Sequence, residues 1–128
     1  MIYVDTSVVL AELFAEDRCP PPAFWDEELA SSRLVEYEIW NAIHRERAER
    51  SHGEAARRMI ESLVIAELSR HVLQRATEPF PLRVRTLDAL HLSTLLFLRD
   101  LGVEISLASY DRRMREAAAA LDIELADC

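Results

Sequence analysis

Lysine is absent from this chain; all fifteen of its basic residues are arginine. That removes Schiff-base chemistry and the lysine of a nucleotide-binding phosphate loop. Gly53 and Gly102 are the only glycines, so no glycine-rich loop can cradle a phosphate either. No HExxH or GxSxG motif is present, which excludes the zinc-protease and serine-hydrolase signatures. The two cysteines, Cys19 and Cys128, lie far apart without CxxC spacing. A disulfide framework or structural zinc site is therefore not expected, and a reducing, cytoplasmic setting is. There is no basic segment followed by an apolar stretch and no run of eighteen apolar residues, so neither a signal peptide nor a membrane span is expected. Carboxylates are left as the working groups.

What is present is a globular composition. Half of the 128 residues are hydrophobic, which predicts a single packed domain over residues 1–128. The net charge of −8 argues against a simple nucleic-acid clamp, because phosphate contacts need clustered cations. It leaves room for a nuclease whose acidic pocket has a local basic rim.

The organising stretch is Met1 to Ser7, an apolar run that ends on a carboxylate and two hydroxyls. Its lack of polar alternation predicts a strand covered on both faces, as in a parallel sheet. Asp5 then stands at the carboxyl end of a central strand, where open α/β sheets place their ligand crevices, and Thr6 or Ser7 is placed to cap the next helix. The pattern continues with a helix at Val8–Ala15 and an extended loop at Cys19–Pro22. A strand at Leu29–Ser32 leads into a long helix from Leu34 into Arg45–Arg50, and a turn is expected around His52 and Gly53. A helix at Glu54–Leu63 and a strand at Val64–Leu68 precede a helix near Ser69–Ala76 and a proline-containing loop at Thr77–Arg85. Thr86–Leu101 is almost entirely apolar around its circumference, which predicts a deeply packed helix stopped by Gly102. A strand within Val103–Ser109, a helix opened by Asp111 and a short strand at Ile123–Leu125 complete the chain. Alternating strands and helices predict an α/β fold with a mostly parallel sheet.

In such a sheet, strand carboxyl ends and the amino ends of the following helices share one edge. Asp5, Asp88 and Asp111 occupy such positions, although helix capping and the macrodipole also favour Asp88 and Asp111 there. Glu36 and Glu38 flank the buried face of the Leu34 helix, and helical phase alone does not choose between them. Carboxylates packed together cannot all ionise without a cation. A hard divalent ion resolves the conflict, and Mg²⁺ or Mn²⁺ suits oxygen ligands, retained water and a phosphate substrate. The chemistry implied is metal-assisted phosphodiester hydrolysis.

Four stretches together resemble PIN domains, most closely the VapC toxins of type II toxin–antitoxin systems. They are Ile2-Tyr3-Val4-Asp5-Thr6-Ser7, Ser32-Arg33-Leu34-Val35-Glu36-Tyr37-Glu38, Arg85-Thr86-Leu87-Asp88-Ala89-Leu90-His91-Leu92 and Ser109-Tyr110-Asp111-Arg112-Arg113-Met114. The resemblance spans nearly the whole chain in the right order. It implies a three-layer α/β/α sandwich and a Mg²⁺- or Mn²⁺-dependent endoribonuclease. It also implies a homodimer, and inhibition by a VapB-like antitoxin whose tail occupies the acidic groove. Carried over, Asp5, Glu38, Asp88 and Asp111 form the metal-binding and catalytic quartet, with Glu38 at the glutamate of the Ser-x-Leu-x-x-x-Glu pattern. Ser109 stands where many relatives have threonine and some an acid.

Around the quartet, Thr6, Ser7, Ser109, Arg112 and Arg113 are possible substrate contacts. Arg83, Arg85 and Arg115 are further candidates for phosphate contact, and Trp25, Trp40 and Tyr110 are stacking candidates, with core or dimer packing the favoured role for Trp40. His91, one helical turn after Asp88, is either a satisfied core histidine or a support for Asp88. Two rival readings are a catalytically weak PIN-fold module that binds a protein partner, and a metal-dependent DNase.

Overall fold

A computed structural model describes residues 1–128. Four short strands, β1 (Ile2–Val4), β2 (Leu29–Ser32), β3 (Val64–Ala66) and β4 (Ser106–Ala108), form one parallel sheet in the order β3-β2-β1-β4. β1 is interior, with Ile2 level with Leu29 on one side and Ser106 on the other. Six helices connect and cover the sheet: α1 (Thr6–Leu13), α2 (Leu34–Arg45), α3 (Glu49–Ser62), α4 (Arg70–Ala76), α5 (Thr86–Asp100) and α6 (Arg112–Ala120). A turn of 3₁₀ helix, Pro22–Asp26, begins on the last of the three consecutive prolines. No helix is long and apolar enough to cross a membrane.

The period of two along the strands divides the core. Val4 and Ala108 face one layer and pack with Val8 and Val9 of α1, Val35, Ile39 and Ile43 of α2, and Ala56 of α3. Tyr3 and Leu107 face the other, where Leu92, Leu95 and Leu96 of α5 meet Met114, Ala117 and Ala118 of α6. Both faces of the sheet are therefore buried, as its apolar strands require, and the architecture is the expected three-layer α/β/α sandwich. Each layer rests on wholly buried anchors such as Ile39 and Leu95; truncating a core aliphatic of this kind to alanine costs about 2–5 kcal/mol.

Three local expectations are corrected. The turn placed at His52–Gly53 lies inside α3; the chain reverses at Glu46–Ala48 instead. There Arg47 takes the left-handed conformation, φ 52°. The Ala48 N–H donates back to the Ile43 carbonyl at 2.9 Å, and the Ala48 methyl is buried. This is the helix-terminating motif usually built on glycine, carried here by arginine. The strand expected at Ile123–Leu125 is a single bridge from Leu125 to Leu107, because β4 is only three residues long and offers Leu107 alone to that side. Neither Thr6 nor Ser7 caps α1. Asp5 occupies the cap position without capping through its side chain, which is engaged elsewhere.

Candidate metal-dependent site at the carboxyl edge of the sheet

β1 delivers Asp5 to the carboxyl edge of the sheet, only 7% exposed. Two hydroxyls fix its carboxylate: Ser7 donates to Oδ2 at 2.7 Å and Ser109 donates to the same oxygen at 2.8 Å. Both serines are held in turn by backbone, since the Tyr110 N–H donates to Ser7 Oγ and the Asp111 N–H to Ser109 Oγ. Neutral donors orient Asp5 without cancelling its charge, and Oδ1 receives no hydrogen bond. Thr6 is buried beside it, and its hydroxyl has no partner.

Glu38 points inward and Glu36 does not. Glu36 pairs with Arg33 at 3.0 Å on the surface. Glu38 Oε1 is 2.5 Å from His91 Nε2, within a contact buried on the histidine side. His91 Nδ1 is 2.7 Å from the hydroxyl of Tyr3, and that hydroxyl accepts from the Ser32 N–H at 3.1 Å. With its oxygen already accepting, the phenol directs its proton at Nδ1, which leaves the Nε2–H for Glu38. His91 is thus the satisfied core histidine of the first alternative, with both ring nitrogens partnered; the carboxylate it holds is Glu38, not Asp88. Burial by itself opposes an imidazolium, but the hydrogen bond and charge of Glu38, with Asp5 and Asp88 behind it, raise the pKa of His91. Burial and the nearby Asp5 charge push the Tyr3 phenol up, so it stays protonated. The sequence signal for this relay was present as Tyr3 two residues before Asp5 and His91 three after Asp88. Its meaning depends on the fold crossing these segments.

Asp88 and Asp111 form the outer part. Asp88 lies in the first turn of α5 and is partly buried. Burial raises its pKa, and the charges of Asp111 and Asp5 raise it further. Asp111 is exposed and caps α6, with its Oδ1 accepting from the N–H groups of Arg113 and Met114 at 2.8 and 3.1 Å. Asp88 and Asp111 line a wholly polar depression of about 520 Å³ with Arg85, Arg112, Arg113 and Glu116. Arg112 pairs with Glu116 at 2.9 Å, and Arg115 braces the loop by donating to the Ser109 carbonyl at 3.1 Å. Trp25 and Trp40 pack against the α1–α2–α3 core, and Trp40 carries Arg57 over its ring.

The donor set suits a hard cation. Asp5, Asp88 and Asp111 have no arginine or histidine within ion-pair distance. No three carboxylate or imidazole groups converge closely enough to enclose an ion by themselves. Magnesium-type sites typically use one or two carboxylates and complete the shell with water, and the open polar depression leaves room for it.

Comparison with known proteins agrees with this architecture. The model for the PIN domain family matches residues 2–120. Ribonuclease VapC46 of Mycobacterium tuberculosis is 38% identical over 92 residues, 71% of this chain and 67% of that protein. A solved toxin–antitoxin complex from Klebsiella pneumoniae superposes with a TM-score of 0.63 over 94% of each chain at 16% identity, a likeness of fold.

Proposed function

We infer the function from one premise: this chain belongs to the PIN-domain family. We propose that it is a VapC-type toxin, an endoribonuclease that hydrolyses RNA phosphodiesters with Mg²⁺ or Mn²⁺ at Asp5, Glu38, Asp88 and Asp111. The observation that carries this reading is the set of three aspartates at one sheet edge with no basic partner, one of them pushed up by burial and by the other two. Such a set is poised for a divalent ion.

In this mechanism Asp5, locked by Ser7 and Ser109, and the more exposed Asp88 and Asp111 hold the ion. When bound, the ion acidifies a water and offsets charge on the phosphate and leaving oxygen. Glu38, with Oε1 committed to His91, turns Oε2 to the attacking water and accepts its hydrogen. Arg112 and Arg113 at the rim meet the phosphates on either side of the scissile bond. As a toxin of this type the protein acts as a cytoplasmic homodimer and is inhibited by a VapB-like antitoxin seated in the acidic groove. The support for that partner is the toxin–antitoxin complex of similar fold.

The lack of three converging ligands favours one rival, a PIN-fold binding module without catalysis. Cleavage of end-labelled single-stranded RNA by the purified protein separates the two. Products are expected with Mg²⁺ or Mn²⁺, not with EDTA, and not from Asp5→Asn or Asp88→Asn. Wild type as inert as the variants would leave the binding module, and cleavage of DNA with RNA spared would make the protein a DNase.

A further inference from the structure

Three depressions on the α5–α6 side share their linings and form one trough. The polar depression holding Asp88 and Asp111 shares Arg85, Arg113 and Glu116 with a second, which adds Arg83, Leu82 and Val84; Glu116 is paired with Arg112. Arg83, Arg85, Leu82 and Val84 pass in turn into a third, an open cavity of about 510 Å³ floored by Phe80, Ala89 and Leu90. Its volume falls in the range of roughly 300–1,000 Å³ typical of small-ligand pockets. The trough therefore runs from carboxylates, past arginines, to a half-apolar recess.

The arginines of the middle section are free. Of the fifteen, only Arg47, Arg50, Arg70, Arg83, Arg85 and Arg113 lack an ion pair, a side-chain hydrogen bond or an aromatic ring as partner. Three of those six line this trough. On a chain of net charge −8, a strip of unpaired guanidinium groups selects an anion. An apolar recess at the end of the strip adds a flat, weakly polar group to that anion. A single-stranded nucleic acid carries both at every nucleotide.

We propose that this trough is the specificity subsite of the nuclease: an unstacked base of single-stranded RNA, flanking the cleaved bond, enters the recess between Phe80, Leu82 and Val84, while Arg83, Arg85 and Arg113 hold the intervening phosphates. The inference rests on the nuclease reading for its site, shares Arg113 with it, and assigns Arg83, Arg85 and the apolar recess, which that reading does not use. Phosphate contacts fix the register, and the recess reads the base. Arg75 covers one face of Phe80 at 4.4 Å, so the base meets the side of the recess lined by Leu82 and Val84.

The test uses the whole protein in EDTA, where no cleavage is expected, and measures anisotropy of a labelled eight-nucleotide RNA and of the same strand with abasic sites. Wild type is expected to prefer the base-bearing strand by about fivefold or more, the lower end of base-stacking effects. Leu82→Ser, at an exposed position, abolishes the preference and leaves abasic binding unchanged. Arg83→Gln with Arg85→Gln weakens both strands alike and flattens their salt dependence. A strand carrying 5-iodouridine should photocrosslink within residues 76–90. Equal affinity for the two strands, indifference to Leu82→Ser or a crosslink elsewhere would overturn the proposal and leave the recess to a protein segment. RNA cleavage with no base preference defeats the subsite alone; base preference without metal-dependent cleavage defeats the nuclease reading alone.

Discussion

The two halves of the acidic site are built by opposite rules. Asp5 and Glu38 form a floor on which each carboxylate is tied by neutral or imidazole donors that are themselves held by backbone N–H groups. Asp88 and Asp111 form a rim, on helix starts and open to the polar depression. The floor fixes position and leaves Asp5 its charge, whereas the rim leaves charges close together and partly unsatisfied. The difference teaches where each kind of substitution should register. Floor changes should abolish or weaken catalysis, through lost charge at Asp5 or lost geometry at Glu38, without relieving the fold; rim changes should abolish activity while relieving the fold.

The largest expected effect comes from the floor. Asp5→Asn keeps the shape and accepts the same serine hydrogen bonds, but removes the charge. Single-turnover cleavage should fall on the order of 10³-fold, comparable to the loss of a preorganised electrostatic group, with the circular dichroism spectrum unchanged. If cleavage survives, Asp5 is a structural acid and the floor has no catalytic meaning. Next comes His91→Leu, which frees Glu38 and leaves the Tyr3 hydroxyl without its imidazole. Losses of about 10–100-fold in activity are typical when an outer support is removed. His91→Gln, which can still present an N–H to Glu38, should recover part of that loss, and a purely packing role for His91 would give no such recovery.

The rim predicts the reverse for stability. The Asp88 carboxyl is more easily protonated in the folded chain than in the unfolded one, so it favours folding below the ordinary aspartate range. That contribution is lost as pH rises through the elevated pKa. At neutral pH the ionised group is a burden, and Asp88→Asn should melt about 2 °C higher than wild type in EDTA, a figure kept small because the group is half-open to solvent. The gap should close as pH falls toward the ordinary carboxylate range. Adding Mg²⁺ or Mn²⁺ should raise the melting temperature of wild type more than that of the variant, since the ion stabilises only a fold that binds it. A wild type that melts higher than Asp88→Asn in EDTA would erase the contrast between rim and floor.

Much of this arrangement was legible in the sequence because it rests on period and on strand ends. The apolar run before Asp5, the alternation of strands with helices and the mostly apolar α5 each have one good structural solution. Choosing Glu38 over Glu36 required the pattern of a family; the structure supplies the physical reason, which is a histidine 53 residues away. That partnership is set by tertiary crossing, and no local propensity encodes it. The misplaced turn has a different origin. Glycine is the residue expected where a helix reverses, and with two glycines in the chain Gly53 drew the turn toward itself. Helix ends here instead place Ala15, Arg47 and Asp122 in the left-handed region, φ 48°, 52° and 57°. Only Gly102, φ 90° after α5, does what its residue type suggests.

That mismatch gives the smallest prediction and sharpens the contrast from a distance. The α2–α3 turn lies at the far end of α2 from Leu34, about 18 Å along a helix of twelve residues. Gly53 is buried within α3, and a Cβ there would meet the Trp40 ring at 3.5 Å, an ordinary van der Waals contact. Gly53→Ala should therefore stabilise by up to about 1 kcal/mol through helix propensity and a less flexible unfolded chain. Arg47→Gly should gain a similar amount by relieving the left-handed conformation. Moving the glycine from 53 to 47 keeps the composition nearly constant and should raise the denaturant midpoint without changing its slope. Cleavage by this double variant should match wild type, because neither position touches the floor or the rim. A matching rise in stability with a loss of cleavage would mean that the site depends on the flexibility of α2, and that the floor is not the rigid half of the site.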